Sequence, residues 1–231
     1  MKKYLLEIQR NYQDSLAPLY RKCDDLAESN PDIQILIEKL STATSKKEYK
    51  NALEIGCGTG RYFHALKNID KLTGIDPSEK MLIEAKTPFK KESIAASVIT
   101  LVQSDLMNYL PGTKFDFVYS FGVLGEHIPF DRNSAKHIHT LLQNNGDFYF
   151  TVINPFQKPR IFAAQIIKKT LQVLGIGKSW RIMNLTAFGW NTKKGIQKIL
   201  EEEYFDLVSI ETVQENYPHY LVFARKRSIS S

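Results

Sequence analysis

Short apolar runs separated by longer mixed stretches dominate the chain beyond residue 50. They are Ala52-Leu53-Glu54-Ile55, Leu72-Thr73-Gly74-Ile75, Val98 to Val102, Phe115 to Tyr119 and Phe148 to Val152. Runs of this length suit buried strands, and the intervals are long enough for helices, so the pattern predicts a doubly wound α/β fold whose parallel sheet is covered on both faces. Upstream, Tyr4 to Glu28 carries apolar residues at helical spacing. Asn30 and Pro31 then provide a cap and a first-turn proline for a second helix through Ile33, Ile37 and Leu40. Ser41 to Lys50 reads as a polar linker. Downstream, Phe205 to Ile210 and Tyr220 to Ala224 lie too close together for an intervening helix, which predicts an antiparallel C-terminal hairpin at the sheet edge and brings the total to seven strands.

Composition narrows the class. With 231 residues, 43% hydrophobic and 24% charged, the chain can bury a full core and is neither disordered nor fibrous. Its two cysteines, Cys23 and Cys57, form no Cys-x-x-Cys pair, so a disulfide framework or a cysteine-rich metal site is not expected. That usage, and an N-terminus without the apolar core of a signal peptide, point to a soluble cytoplasmic protein. Charge is unevenly spread: 19 basic and 19 acidic residues cancel over 1–154, whereas 155–231 holds 12 basic and 6 acidic. Between Pro155 and Leu200 there are nine basic residues and no acid, an arrangement suited to an anionic neighbour.

The most informative stretch is Glu54-Ile55-Gly56-Cys57-Gly58-Thr59-Gly60-Arg61. Three alternate glycines directly after a buried strand permit a sharp turn, bring bare backbone to a ligand and deliver the chain to a following helix. A dinucleotide fingerprint would need glycine at 61, where Arg61 stands, and no Gly-Lys-Ser/Thr follows for a nucleotide-triphosphate loop. The string instead resembles the first motif of the class I S-adenosylmethionine-dependent methyltransferases, with Glu54 in the acidic place. Further stretches agree: Asp76-Pro77 closing the second strand, Gln103-Ser104-Asp105-Leu106 after the third, Phe115 to Tyr119 with Val123-Leu124-Gly125-Glu126-His127-Ile128 around the fourth, and Leu141 to Asp147 before the fifth. Asn144-Asn145 replaces the more usual Lys-Pro in that last turn.

The resemblance implies a Rossmann-like fold, S-adenosylmethionine as cofactor and S-adenosylhomocysteine as its product. It divides the chain into an N-terminal helical cap over 1–50 and a methyltransferase domain over 51–231, with a lid inserted at about 155–200. The implied cofactor shell comprises Tyr20, Glu54, Gly56, Cys57, Gly58, Gly60, Asp76, Pro77, Met81, Ser104, Asp105, Leu106 and Phe121. Asp76 would accept the ribose hydroxyls, Asp105 would meet the adenine amine, and Tyr20, with Tyr12, would lie against the methionine end by cation–π attraction. For each acid a purely structural role is the competing reading, and Asp116, at a strand entrance, is read as structural.

Methyl transfer from a sulfonium needs alignment more than chemistry from the protein, although a hydroxyl or carbon acid benefits from a base. Polar residues after the fourth and fifth strands are the candidates: Glu126, His127, Asp131 and Asn154. His127 leads because imidazole titrates near working pH, with Glu126 beside it. His137 and His139, two apart on a predicted helix, diverge, so no metal is expected. Phe162 to Leu174 forms a basic amphipathic helix followed by Gly175, Gly177, Trp180, Phe188 and Trp190. It would suit a greasy or anionic small-molecule acceptor or an acidic membrane surface, or simply cover the sheet with solvated lysines. Nucleic acid is a less favoured partner, and the sequence does not give the oligomeric state. The main reading is a methyltransferase acting on O, N or C of a small molecule. An RNA or protein methyltransferase and a non-catalytic S-adenosylmethionine-binding regulator are the alternatives.

Overall fold

The computed structural model describes residues 14–24, 27–154, 191–213 and 218–228. Residues 14–24 are helical (α1), and α2 spans Pro31–Ser45 with Asn30 as its cap, the Asn30 side chain accepting from the amides of Asp32 and Ile33. The strands are β1 Tyr49–Ile55, β2 Ile69–Asp76, β3 Val98–Gln103, β4 Phe115–Leu124, β5 Leu142–Ile153, β6 Phe205–Thr212 and β7 His219–Lys226. Helices α3 Glu79–Ala85, α4 Arg132–Leu141 and α5 Lys193–Glu202 complete the described α-helices, and four short 3₁₀ turns join them. The amphipathic lid helix and its aromatics lie outside the described residues, as do Tyr12 and the first residues of the chain.

All seven strands form one sheet in the order β3-β2-β1-β4-β5-β7-β6. The first five are parallel, whereas β7 runs antiparallel between β5 and β6. Strand order therefore reverses between β1 and β4, and ligands in such sheets bind beyond the carboxyl ends at that point.

Side-chain alternation explains why both faces are covered. Leu53 and Ile55 of β1, Val118 of β4 and Phe148 and Phe150 of β5 pack with Ala135 and Ile138 of α4 and Ile196 and Leu200 of α5. Their neighbours Ala52, Phe117, Tyr119 and Tyr149 face the other way, toward Leu36 and Leu40 of α2 and Leu82 of α3. Each fully buried large side chain contributes about 1.5–3 kcal/mol relative to exposure, so this two-sided pattern holds the sheet between both layers.

Four local expectations need correction. The stretch 41–50 is not a linker: α2 continues to Ser45 and β1 starts at Tyr49. Thr44 makes this possible, because its hydroxyl donates to the Leu40 carbonyl (2.9 Å) and accepts from the Lys67 amide (2.8 Å). No α-helix follows the glycine corner; only a short 3₁₀ turn, Phe63–Ala65, forms there. Eight residues, 61–68, must return the chain to the start of β2. As a helix they would span about 12 Å, well short of the roughly 23 Å length of a seven-residue strand. The fourth strand runs past Tyr119 to Leu124 through a register shift at Gly122 (φ 72°), whose amide donates to Thr151 Oγ1 at 2.8 Å. The predicted turn at Asn144-Asn145 falls inside β5, with Asn145 left-handed at φ 60°.

Candidate active site

The glycine corner lies at the reversal point. The amides of Gly56 and Cys57 both donate to the Ile75 carbonyl, at 2.8 and 3.0 Å, turning the chain off β1 across the end of β2. Gly56 has φ 70°, and a Cβ there would stand 2.4 Å from Val123 Cγ2 at the end of β4. Only glycine lets the two strand ends close on each other. Gly58 (φ 52°) differs, since a Cβ there would meet nothing within 4 Å. Bare backbone thus faces open space where a ligand can approach it.

Asp76, at the end of β2, is buried and accepts from the Gly58 amide and the Ser78 amide, each at 2.9 Å. Burial opposes its charge more than these amides and the nearby Asp14 affect it, and its pKa is raised to about 6. Glu54 is also buried, and the Tyr119 hydroxyl donates to it at 2.6 Å. Burial outweighs that hydrogen bond and pushes Glu54 up to about 8, so at neutral pH it is mostly a neutral acid. Cys57 is buried beside them, and burial and the two carboxylates raise its thiol pKa.

The remaining predicted shell residues lie at or just beyond the ends of β2 and β3, in α3 and in β4. Pro77 is half-buried, its carbonyl accepting from Gln103 Nε2 at 3.2 Å, and Met81 is buried in α3. The Ser104 amide donates to the Asp76 carbonyl at 3.1 Å. Asp105 caps a 3₁₀ turn by accepting from the amides of Met107 (3.0 Å) and Asn108 (3.1 Å), and Leu106 is buried within that turn. Phe121 packs edge-on against Tyr62, with ring centroids 5.2 Å apart, joining the corner to β4.

Helix α1 is clasped onto this corner. Asp24 is fully buried and accepts from Thr59 Oγ1 and Arg61 Nε. Ser78 Oγ donates to Asp14, and Arg21 donates to the Thr87 carbonyl at 2.7 Å. Tyr20 is half-buried under the Arg61 guanidinium, 5.9 Å from ring centroid to Cζ. Sequence reasoning missed Asp24, Thr59 and Arg61 because the pairing spans 35 to 37 residues.

Beyond the ends of β4 and β5 the chain folds into a tight turn, with the amides of His127 and Ile128 donating to the Val123 carbonyl at 2.8 and 3.1 Å. His127 and Glu126 are half-buried in it; burial lowers the His127 pKa against the pull of Glu126. The Glu126 carboxylate accepts from Nε2 of His219 at 2.6 Å. Burial opposes its charge, but His219 and then His127 outweigh burial, and its pKa is lowered. His219, the first residue of β7 and paired with Ile153, was not anticipated; only the antiparallel return of β7 brings it here. Asn154 is buried beside them, its amide donating to the Pro218 carbonyl at 2.7 Å. Asp131 instead caps α4, accepting from the Ser134 amide at 3.0 Å. Asp116 accepts from the amides of Lys50 and Asn51 at the opposite end of the sheet. Among the described residues no cluster of three metal-ligating side chains occurs, and no helix is long and apolar enough to cross a membrane.

Residues 52–146 match the model of a methyltransferase domain family. Over 129 residues the chain is 29% identical to ubiquinone biosynthesis O-methyltransferase of Pseudomonas aeruginosa, covering 55% of each. The chain therefore spans about half the length of the curated relatives it matches. Its fold is similar to magnesium protoporphyrin IX methyltransferase (ChlM) from Synechocystis PCC 6803 with bound S-adenosylhomocysteine: TM-score 0.63 at 18% identity, covering 96% of this chain and 99% of that one. The N-methyltransferase NodS from Bradyrhizobium japonicum WM9, in complex with S-adenosylhomocysteine, gives 0.59 at 18% identity over 86% of this chain and 89% of its own. Sheet order, glycine corner and family match converge on one resemblance: through residues 52–146 the chain matches a methyltransferase domain.

Proposed function

We propose that this chain transfers a methyl group from S-adenosylmethionine to a hydroxyl oxygen of a small molecule, releasing S-adenosylhomocysteine. One observation carries the reading: at the sheet's reversal point a glycine with open space above it donates its amide to the buried carboxylate of Asp76. The residues fit the cofactor, since backbone can approach a nucleoside there and a carboxylate stands ready to accept ribose hydroxyls. When bound, S-adenosylmethionine supplies an activated methyl carbon; the protein aligns the acceptor and excludes water.

In this reading Asp76 grips the ribose and Asp105 meets the adenine amine. Met81, Leu106 and Phe121 give apolar walls, and Tyr20 covers the methionine end from the 1–50 cap. Glu126 and His127 flank the acceptor beyond β4. A carboxylate there favours a hydroxyl donor, and the O-methyltransferase relative supports oxygen over carbon. The basic segment 155–200 would favour anionic or membrane-associated acceptors, and free cysteines, one exposed, accord with a cytoplasmic setting.

Calorimetric titration with S-adenosylhomocysteine tests the cofactor half: saturable 1:1 heat is expected, and its absence overturns the reading. Incubation with S-adenosylmethionine and phenol, catechol, benzoate or aniline, read by mass spectrometry of the product, tests the acceptor half. Methylation confined to aniline would replace oxygen by nitrogen.

A further inference from the structure

The glycine corner and the Glu126 turn meet through Val123, which packs on Gly56, and polar side chains collect at that turn. Three of them gather from distant parts of the sequence. Glu126 comes from the turn after β4, His219 from the start of β7, and Asn191 from the residue preceding the cap of α5. Asn191 is 5% exposed, its Nδ2 has no hydrogen-bond partner among the described residues, and a Cβ on Gly125 would lie 2.8 Å from that nitrogen. An unsatisfied buried donor costs about 1–3 kcal/mol, which an acceptor oxygen placed there would recover.

We infer that Glu126 is the proton acceptor for the incoming hydroxyl, that His219 is its positioning residue, and that Asn191 donates to a second oxygen of the same acceptor molecule. This rests on the methyltransferase reading above. The hydroxyl gives its proton to Glu126 as an oxygen lone pair forms the bond to the methyl carbon, whose former bonding pair stays with sulfur. An oxygen carrying both a proton and a new methyl group is strongly acidic, so a carboxylate of ordinary or low pKa suffices to take the proton as the bond forms. What matters is that Glu126 be charged and still. His219 provides both, because its Nε2 hydrogen bond holds one carboxylate oxygen and leaves the other for the acceptor.

The ionisable neighbours fix the sign of the pH dependence. Glu126 faces His219 on β7 and His127 in its own turn, and on α5 Lys193 stands over the Tyr220 ring at 5.7 Å. Removing His219 leaves burial less opposed, so the Glu126 carboxyl should titrate at higher pH and the acid limb of kcat should move up with it.

The test compares wild type, His219→Ala, His219→Gln and Glu126→Gln, with catechol and phenol as acceptors. Gln at 219 can place its amide nitrogen near the former Nε2 and restore the donor. Affinity for S-adenosylhomocysteine should stay within about twofold in all variants, whereas kcat should fall about 10- to 100-fold in His219→Ala and Glu126→Gln and recover largely in His219→Gln. A readout independent of turnover is the carbon-13 titration of the Glu126 carboxyl, identified by its loss in Glu126→Gln. It should move to higher pH in His219→Ala. An unmoved titration, or equal kcat for Ala and Gln at 219, overturns the inference. If wild type binds S-adenosylhomocysteine but methylates neither phenol nor catechol, the hydroxyl reading fails, and the carboxyl titration separately decides the pairing.

Discussion

The two halves of the crevice are built by different means. On the β1–β2 side the proposed ligand surface is mostly backbone: glycines at φ 70°, 52° and 78° turn the chain, and Asp76 braces them through an amide only 18 residues away. On the β4–β5 side the surface is side chains, and the Glu126–His219 contact joins residues 93 apart. In the proposed reading the cofactor meets backbone and the acceptor meets side chains, so exchanging side chains at the strand ends would change the acceptor without rebuilding the turn. The first half should accordingly fail through its fold when altered, and the second through its chemistry.

Gly56→Ala should break the comparison most severely. A left-handed backbone and a Cβ 2.4 Å from Val123 Cγ2 together cost about 2–5 kcal/mol, readable as a drop in the midpoint of chemical denaturation. Gly58→Ala, with open space at its Cβ, should lose only about 1–2 kcal/mol of stability while still obstructing S-adenosylhomocysteine. Equal losses at both positions would contradict the packing described. Next in size, Asp76→Ala should weaken S-adenosylhomocysteine by about 1.5–3 kcal/mol, or roughly 10- to 150-fold by calorimetry, as expected for a charged hydrogen bond.

Acid titration sharpens the same point. With its pKa raised to about 6, Asp76 becomes neutral as pH falls from 7 to 5. Ribose hydroxyls are best accepted by the charged form, so affinity should drop by about tenfold per pH unit below 6. Fold stability runs the other way for this group: a carboxyl that binds its proton more tightly when folded contributes most at low pH, and loses that contribution as pH rises through about 6. A flat affinity profile between pH 5 and 7 would separate Asp76 from the ligand. The smallest effect belongs to Tyr119→Phe, which removes one donor to Glu54 and should cost about 0.5–1.5 kcal/mol of stability. S-adenosylhomocysteine affinity should not change.

The contrast also explains what could be read before the structure. The seven strands and the place of Asp76 at the end of β2 are local matters of alternation and spacing, and they stand where the pattern put them, although β4 and β5 run longer. The capped start of α2 was legible in the same way. His219 and Asn191 were not, because β7 lies antiparallel between β5 and β6, and no periodicity says which strand end will face Glu126. His127 drew attention as an imidazole in the right turn, but the hydrogen bond to Glu126 comes from across the sheet. The missing helix after Gly60 was a failure of length rather than of propensity, since eight residues cannot coil and also travel back along a strand.

One consequence lies in the order of synthesis. Strand β6 reaches the sheet only through β7, although β7 is made later. A nascent chain that has emerged through Thr212 would therefore carry the glycine corner with Asp76, the proposed nucleoside cradle, while β6 has no neighbour and Glu126 lacks His219. Methyl-donor binding would mature on the ribosome before acceptor chemistry does, and stalled chains of increasing length should acquire the two capacities one after the other.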